Sequence, residues 1–313
     1  MPVSASYFYA HANGFPDSKA AGMRRYTLRD FDHQFPDDAA CLAYLFKARW
    51  PRGYDCPHCE RVTKHHALTV KRVYSCQECG DQVSPTAGTI FHKSSTSLRS
   101  WFYAIYLMAQ TRTGIAAKQL ERELGVTYKT AWRMFTQIRT LMGEDLHNLG
   151  GEIEAAESYF GGKKSGGKKG RGAPGKTIAF GMVERQGRAN VRIVPNVKTA
   201  SLMPPLYRRV PQHQGHTIYT DELASYNLLT KLGYTHHSVN HSREEWARGS
   251  AHTNTIEGFW SMVKRGIGGV HHAVGPHYLQ TYLDEYVFRY NRRKNETPMF
   301  ISLLERVPAL ARG

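Results

Sequence analysis

The sequence predicts a multidomain α/β protein: a four-cysteine ribbon plus a helix-turn-helix, followed by a larger α/β domain. Three observations lead there. Two Cys-x2-Cys pairs stand before residue 80, helical periodicity broken by one glycine turn spans 97–142, and apolar strands alternating with helices follow, with acids at strand ends. At 313 residues the chain has room for about two domains of ~150 residues, and 41% hydrophobic content excludes a wholly disordered chain. Lys and Arg outnumber Asp and Glu 42 to 26, a net charge of +16 that favours a polyanion, nucleic acid before an anionic membrane. No apolar run reaches the ~18 residues of a membrane span, so no membrane insertion is expected. The N-terminal residues lack a charged stretch leading into an apolar one, so no secretory signal is expected either.

Residues 1–50 read as a loosely ordered arm followed by a helical lead-in anchored by Phe31, Phe35, Leu42, Leu45 and Phe46. Residues 51–92 hold Cys56-x2-Cys59 and Cys76-x2-Cys79, sixteen residues apart. Each such turn can place two sulfurs on one ion, so the set predicts a structural Zn²⁺ ribbon with four thiolate ligands. Two disulfides would require an oxidising compartment, which the missing signal argues against. His58, His65 and His66 are spare ligands that a filled tetrahedron does not need, and Cys41 reads as an ordinary buried thiol.

Residues 93–148 read as the helix-turn-helix. Leu98, Trp101, Phe102, Ile105, Tyr106 and Met108 recur at spacings of three and four. Helices over 115–124 and 128–142 then flank Gly125, with Thr127 as the N-cap. Lys129, Arg133 and Arg139 of the last helix are the candidate DNA contacts, alongside Tyr128 and Thr130. A three-helix bundle that touches no DNA is the alternative.

Residues 149–313 form the last domain. Residues 161–175 are Gly-rich and carry Lys163, Lys164, Lys168, Lys169 and Arg171 with no acid, a loop suited to gripping phosphates or a plain flexible linker. Strands over 152–160, 177–183 and 191–194, a helix over 201–209, a strand ending at Asp221, a strand over 235–239 and helices over 255–265 and 278–291 follow the order of an RNase H-like α/β domain. There, acids on the first and fourth strands and on a following helix would converge on two Mg²⁺ or Mn²⁺ ions about 3.5–4 Å apart. Arg289, Arg292 and Arg293 on the last helix are further candidate DNA contacts, or merely snorkelling side chains. Trp260 reads as packing, or as stacking near the site.

The set Cys56-Pro57-His58-Cys59, Cys76 to Cys79, Gly88-Thr89-Ile90-Phe91, Glu157-Ser158-Tyr159-Phe160-Gly161-Gly162-Lys163, Tyr219-Thr220-Asp221, His252 to Trp260, Lys264-Arg265-Gly266 and Phe288 to Arg293 resembles the bacterial insertion-sequence DDE transposases with an N-terminal zinc ribbon, the ISXO-like group. The resemblance covers about residues 35 to 295. It implies a transposase that binds terminal inverted repeats of double-stranded DNA, hydrolyses a strand at each end and joins the freed 3′-hydroxyl to target DNA. It also implies a homodimer, a bacterial cytoplasmic location with nucleoid association on DNA, and two catalytic Mg²⁺ or Mn²⁺ ions. Carried over, Asp221 is the second catalytic acid and Glu257, 36 positions on, the third metal ligand. The resemblance also admits Asn in that third role, and Asn254 stands one helical turn before Glu257. Lys264, with Arg265 beside it, would hold DNA phosphate near the metals, the alternative being a Glu257–Lys264 surface ion pair.

The first acid departs from the pattern: where the group has an acid before Glu157, this chain has Ala156. Alternation puts Glu152, Glu154 and Ala156 on one strand face and turns Glu157 away, and Glu154 would sit about 6–7 Å further along. A methyl group binds no ion, so the expectation is a cleavage-deficient chain, whether Ala156 is a deliberate replacement of Asp or natural decay. Two other functions remain open: a zinc-ribbon, helix-turn-helix regulator without catalysis, and an RNase H-like nuclease.

Overall fold

The computed structural model describes residues 26–68, 71–143, 147–161, 176–212, 214–239 and 252–310. The N-terminal unit begins with α1, Leu28–Gln34, where Thr27 and Asp30 cap each other's backbone in a capping box. Asp37 caps α2, Asp38–Arg49. The ribbon follows as β1 (Asp55–Cys56) paired with β2 (Arg61–Val62), then β3 (His65–Ala67), β4 (Tyr74–Cys76) and β5 (Gln82–Val83), all antiparallel. Such short strands cannot bury a core, so arginines tie them down. Arg49 of α2 donates to the carbonyls of Ser84, Pro85 and Ala87, and Arg72 to those of Ser94 and Thr96.

Three helices come next: α3 (Leu98–Gln110) behind its Ser97 cap, α4 (Ala117–Leu124) and α5 (Tyr128–Leu141). Gly125 ends α4 at φ 62, a left-handed backbone that glycine adopts without strain. Thr127 then accepts from the Thr130 N–H to start α5. Phe31, Phe35 and Leu45 share one core with Trp101, Phe102, Met134, Phe135 and Ile138. Residues 26–50 are thus helical, as expected, and form a wall of the helical core. Phe300, Leu303, Leu304 and Val307 close that core from the other end of the chain. They lie on or beside α9 (Met299–Leu304) and α10 (Val307–Leu310). The sequence grouped these helices with the last domain, but their apolar faces are buried in the first.

The α/β unit is one mixed five-stranded sheet of β6 (Glu152–Phe160), β7 (Thr177–Glu184), β8 (Ala189–Val194), β9 (Thr217–Asp221) and β10 (Thr235–Val239), in the order β10-β9-β6-β7-β8. β6, β7 and β8 pair antiparallel, while β9 runs parallel to β6 and β10 parallel to β9. One face packs Ile153, Ala155 and Phe180 against Leu202, Met203 and Leu206 of α6 (Thr199–Arg209). The other packs against Ile256, Phe259, Trp260 and Val263 of α7 (Asn254–Gly266) and Leu279, Leu283 and Tyr286 of α8 (Pro276–Asn291). A Cβ at Gly181 would lie 2.5 Å from Trp260 Cζ2, so glycine there lets the indole, 5% exposed, reach the strand; Trp260 is packing. Edge strand β8 is not bare: Asn291 and Gln280 of α8 bond the outward N–H groups of Ala189 and Ile193 and the carbonyls of Ala189 and Val191.

The two units meet at a buried ion network. Glu285 of α8, with no exposed area, receives Arg139 of α5 at 2.6 Å and Arg289 at 2.5 Å. Arg289 also donates to the carbonyls of Met108 and Thr111 at the end of α3. The Arg139 Cζ lies 3.6 Å from the Phe135 ring centre and 3.5 Å from that of Tyr282. The sequence offered Arg139 and Arg289 to DNA; both are instead interior, 2% and 5% exposed. Burial would raise the Glu285 carboxyl, but Arg289 and Arg139 outweigh it and hold the group below its ordinary value. Removing one member leaves buried charge uncompensated, so Arg139→Ala should cost about 3–5 kcal/mol, read as a lower urea midpoint. Because the folded value is depressed, this contribution is present above about pH 4.3 and disappears as pH falls through the folded value, measurable as the loss of the wild-type advantage in acid.

Candidate metal centre and active site

Cys56 and Cys59 come from the first knuckle, Cys76 and Cys79 from the second, and the four sulfurs lie within 4.8 Å of one another. None is oxidised: Cys56 Sγ is 3.5 Å from Cys79 Sγ and Cys59 Sγ 3.9 Å from Cys76 Sγ. Those gaps are close to the about 3.8 Å edge of a tetrahedron built on Zn–S bonds of about 2.3 Å. The Thr63 hydroxyl, 3.1 Å away, and the backbone N–H groups of Cys79 and Glu78 push the Cys76 thiol down to about 6, while the neighbouring sulfurs push the Cys59 thiol up. The donor set thus fits a structural Zn²⁺, which would supply cross-linking and no reaction step. His65 is not a ligand; its Nδ1 bonds the Thr63 carbonyl at 3.0 Å.

In the α/β unit, β6 and β9 are in register through Glu154↔Tyr219. That pairing ends there, and Ala156 of β6 and Asp221, the last residue of β9, each lie two residues past the last pair. The Asp221 carboxylate accepts from the Leu223 N–H at 3.2 Å. Helix α7 starts at Asn254 and turns Asn254, Glu257, Lys264 and Arg265 to solvent, while Ile256, Phe259, Trp260 and Val263 face the sheet. The Thr253 hydroxyl donates to Glu257 at 2.8 Å. Partial burial and then the charge of Lys176 hold the Lys264 amine below its usual range, so two cations crowd this end of α7.

Among the described residues, the four cysteines are the only group of three or more His, Cys, Asp or Glu side chains close enough to share an ion. Asp221 and Glu257 do not form such a group with a third acid, and the Ala156 methyl, half-buried against the α7 face, supplies none. The residues present do not fit a two-ion carboxylate site. Glu157 does not fill the gap: it takes a 3.1 Å hydrogen bond from Tyr226, which belongs to the opposite face of the sheet. Burial, then the charges of Glu157 and Asp221, drive the Tyr226 phenol well above its ordinary value.

What the sequence reading missed is the structural role of Glu154. Its side chain has no exposure, and one oxygen accepts the Thr255 and Ile256 backbone N–H groups at 2.7 and 3.0 Å. The other accepts the Thr255 hydroxyl at 3.0 Å and Arg185 Nε at 2.9 Å, with His252 Nδ1 3.1 Å away. A strand carboxylate thereby caps α7, whose own N-cap Thr253 makes no side-chain cap bond, and sets where Asn254 and Glu257 emerge. The available signal was the Glu152-x-Glu154 alternation, which puts an acid on a covered face where only a cationic partner tolerates it.

Of the remaining candidate DNA contacts, Lys129 and Arg133 are exposed on α5, Arg133 donating to the His92 carbonyl at 3.2 Å. Arg293, half-buried, bonds the carbonyls of Gly187 and Tyr290 and so ties α8 to the β7–β8 hairpin. Arg292 lies half-buried, 4.1 Å from the Phe288 ring centre. Lys163, Lys164, Lys168, Lys169 and Arg171 lie outside the described residues.

A zinc-ribbon N-terminus followed by an α/β unit with a mixed sheet defines the class of protein. Residues 36–82 match the transposase zinc-ribbon domain, and residues 148–291 match the ISXO2-like transposase domain. The chain belongs to the ISXO2-like transposases. It is 28% identical over 275 residues to the uncharacterized protein in transposable element ISH50 of Halobacterium salinarum, covering 82% of this chain and 91% of that one. It is 30% identical over 115 residues to an uncharacterized transposase-like protein of Haemophilus influenzae, covering 37% of this chain and 89% of that one. The transposase match ends at residue 291, before α9 and α10, which pack in the helical core. No helix among the described residues is long and apolar enough to cross a membrane.

Two outcomes follow. Zinc analysis should return about one ion per wild-type chain and none for Cys56→Ser with Cys79→Ser, whose ribbon should also become protease-sensitive. Glu154→Ala, which strands Arg185 and uncaps α7, should cost about 3–5 kcal/mol in chemical denaturation, with Glu154→Gln intermediate.

Proposed function

We propose that this transposase-family chain binds the terminal inverted repeats of its element as a homodimer and, with alanine at position 156, does not cut them. The observation that carries the reading is that Ala156 and Asp221 each lie two residues past the last pair of the parallel strands β6 and β9, while α7, which carries Asn254, Glu257 and Lys264 on its solvent side, is anchored to β6 through Glu154. The order β8-β7-β6-β9-β10, three antiparallel strands followed by two parallel ones, supports an RNase H-like domain. The α4–Gly125–α5 arrangement supports a helix-turn-helix whose exposed Tyr128, Lys129 and Arg133 meet DNA. Crowding of Lys176 and Lys264 is relieved by a phosphate, which supports DNA passing this end of α7. In the intact reaction water displaces a 3′-oxygen from phosphorus, and the freed 3′-hydroxyl then attacks a target phosphodiester. Asp221 and either Glu257 or Asn254 would serve that chemistry, and two ends handled together call for a dimer.

The test is Ala156→Asp. Both forms should bind inverted-repeat duplex with equal affinity and prefer it to random sequence, and only the variant should nick the ends when Mg²⁺ or Mn²⁺ is added. Equal binding with no gain of nicking would remove position 156 from the catalytic reading, and no preference for the repeats would favour a non-specific nuclease.

A further inference from the structure

Packing accounts for the ring of Trp260 but not for its N–H. Trp260 is 5% exposed, and its Nε1–H has no hydrogen-bond partner among the described residues. Ser158 of β6 is 3% exposed, and its hydroxyl is open in the same way. Buried polar groups are otherwise almost always bonded, so two open ones under the same helix call for a common cause. An indole N–H only donates, so what it lacks is an acceptor, and a serine hydroxyl can donate to the same one.

Both groups border position 156. Alternation along β6 puts Ala156, Ser158 and Phe160 on the face that α7 covers. Ala156 pairs with Gly181 of β7, and opposed Cβ positions in such a pair lie about 4.5–5.5 Å apart. Two α7 side chains one turn apart press on the place a Gly181 Cβ would take: Ile256 Cδ1 and Trp260 Cε2 each lie 3.1 Å from it. The Trp260 ring also meets that of Phe160, their centres 5.8 Å apart. The indole therefore leans back over Ser158 toward the Ala156–Gly181 pair, and Cε2, the carbon bonded to Nε1, is among its leading atoms. Glu154 on the same face is no spare acceptor, since both its oxygens are already taken by α7 and Arg185.

The acceptor missing from this place is the side chain at 156, here a methyl. We infer that Trp260 is a positioning residue for the acid of the cleaving form: its indole N–H, with the Ser158 hydroxyl, donates to one oxygen of a carboxylate at position 156 and leaves the other for an ion. The inference rests on the reading of position 156 as the place of the lost acid, and adds the donor that would fix that acid's rotamer. In the alanine chain the ring keeps its seat, because Gly181 and Phe160 hold it whatever stands at 156. The bond thus orients the acid and not the helix.

The experiment is proton–nitrogen NMR of the full chain with ¹⁵N-labelled tryptophan, which carries five indole N–H groups. The Trp260 signal is recognised by its through-space contact with Gly181. Ala156→Asp should move that signal to lower field, as a new hydrogen bond does, whereas Ala156→Val, which adds bulk without an acceptor, should not. In the Ala156→Asp chain, adding Trp260→Phe keeps an aromatic ring and removes the donor. It should raise the Mg²⁺ needed for half-maximal nicking roughly tenfold or more, the worth of one hydrogen bond to a charged group, with duplex binding unchanged. An unmoved Trp260 signal in a folded Ala156→Asp chain overturns the inference, as does a folded double variant that needs no more Mg²⁺. A shifted signal without nicking upholds the hydrogen bond and removes position 156 from the catalytic reading, so the two failures are told apart. Should the double variant not fold, the NMR signal decides alone.

Discussion

A carboxylate sealed from water decides where the candidate site sits. Glu154 is a strand residue, yet its oxygens serve as the N-terminal cap of α7 and as counter-ion to Arg185. A buried ionised group tolerates little displacement, because any lost hydrogen bond exposes a desolvation cost of several kcal/mol. The start of α7 is therefore held against β6 with hydrogen-bond accuracy, and the helix rotation that follows sends Ile256 and Trp260 into the sheet and Asn254 and Glu257 outward. Gly181 completes the fit, since a Cβ there would collide with Trp260. A salt bridge of this kind is weak support for stability, but it does select one geometry over its neighbours.

The same device recurs where the two units join. Glu285 between Arg139 and Arg289 links α5 to α8, and Arg289 continues to the end of α3. Arg306 adds a tie from beyond α9 to the Leu141 carbonyl at the end of α5. The helix proposed to read DNA and the helix covering the five-stranded sheet thus share one ion network. With the C-terminal helices also inserted in the first core, neither unit can turn far without stranding charge or exposing Phe300 and Leu303.

Much of this was readable in advance. Thiolate spacing is dictated by one ion, so the ribbon needed only its cysteines. Periodicity and caps marked α3 to α5, and β6 and β10 begin and end at the expected residues. The arginines misled because charge was weighed above position. Arg139 follows Phe135 by four residues and adjoins Ile138, and Arg289 follows Glu285 by four on the stripe holding Tyr282 and Tyr286, so each lay on a buried arc already visible as such. The placement of 299–307 in the first core was not readable, since it depends on contacts about two hundred residues apart that leave no local pattern. Glu154 lay between: alternation marked its covered face, but its partner Arg185 is set only by the register of β6 with β7.

That register also bears on what Ala156 has and has not changed. The groups that build the surroundings of position 156 are Glu154, Arg185, Gly181 and the apolar side of α7, and all are joined to one another without any contribution from the side chain at 156. An aspartate there would face a half-buried place, and were Asp221 to approach it, as proposed, the second negative charge would be poorly tolerated unless a cation were shared. Alanine removes that repulsion along with the ligand. Alanine at 156 is therefore accommodated at little or no structural cost, which is what the proposed reading of a chain that binds DNA without cutting it requires.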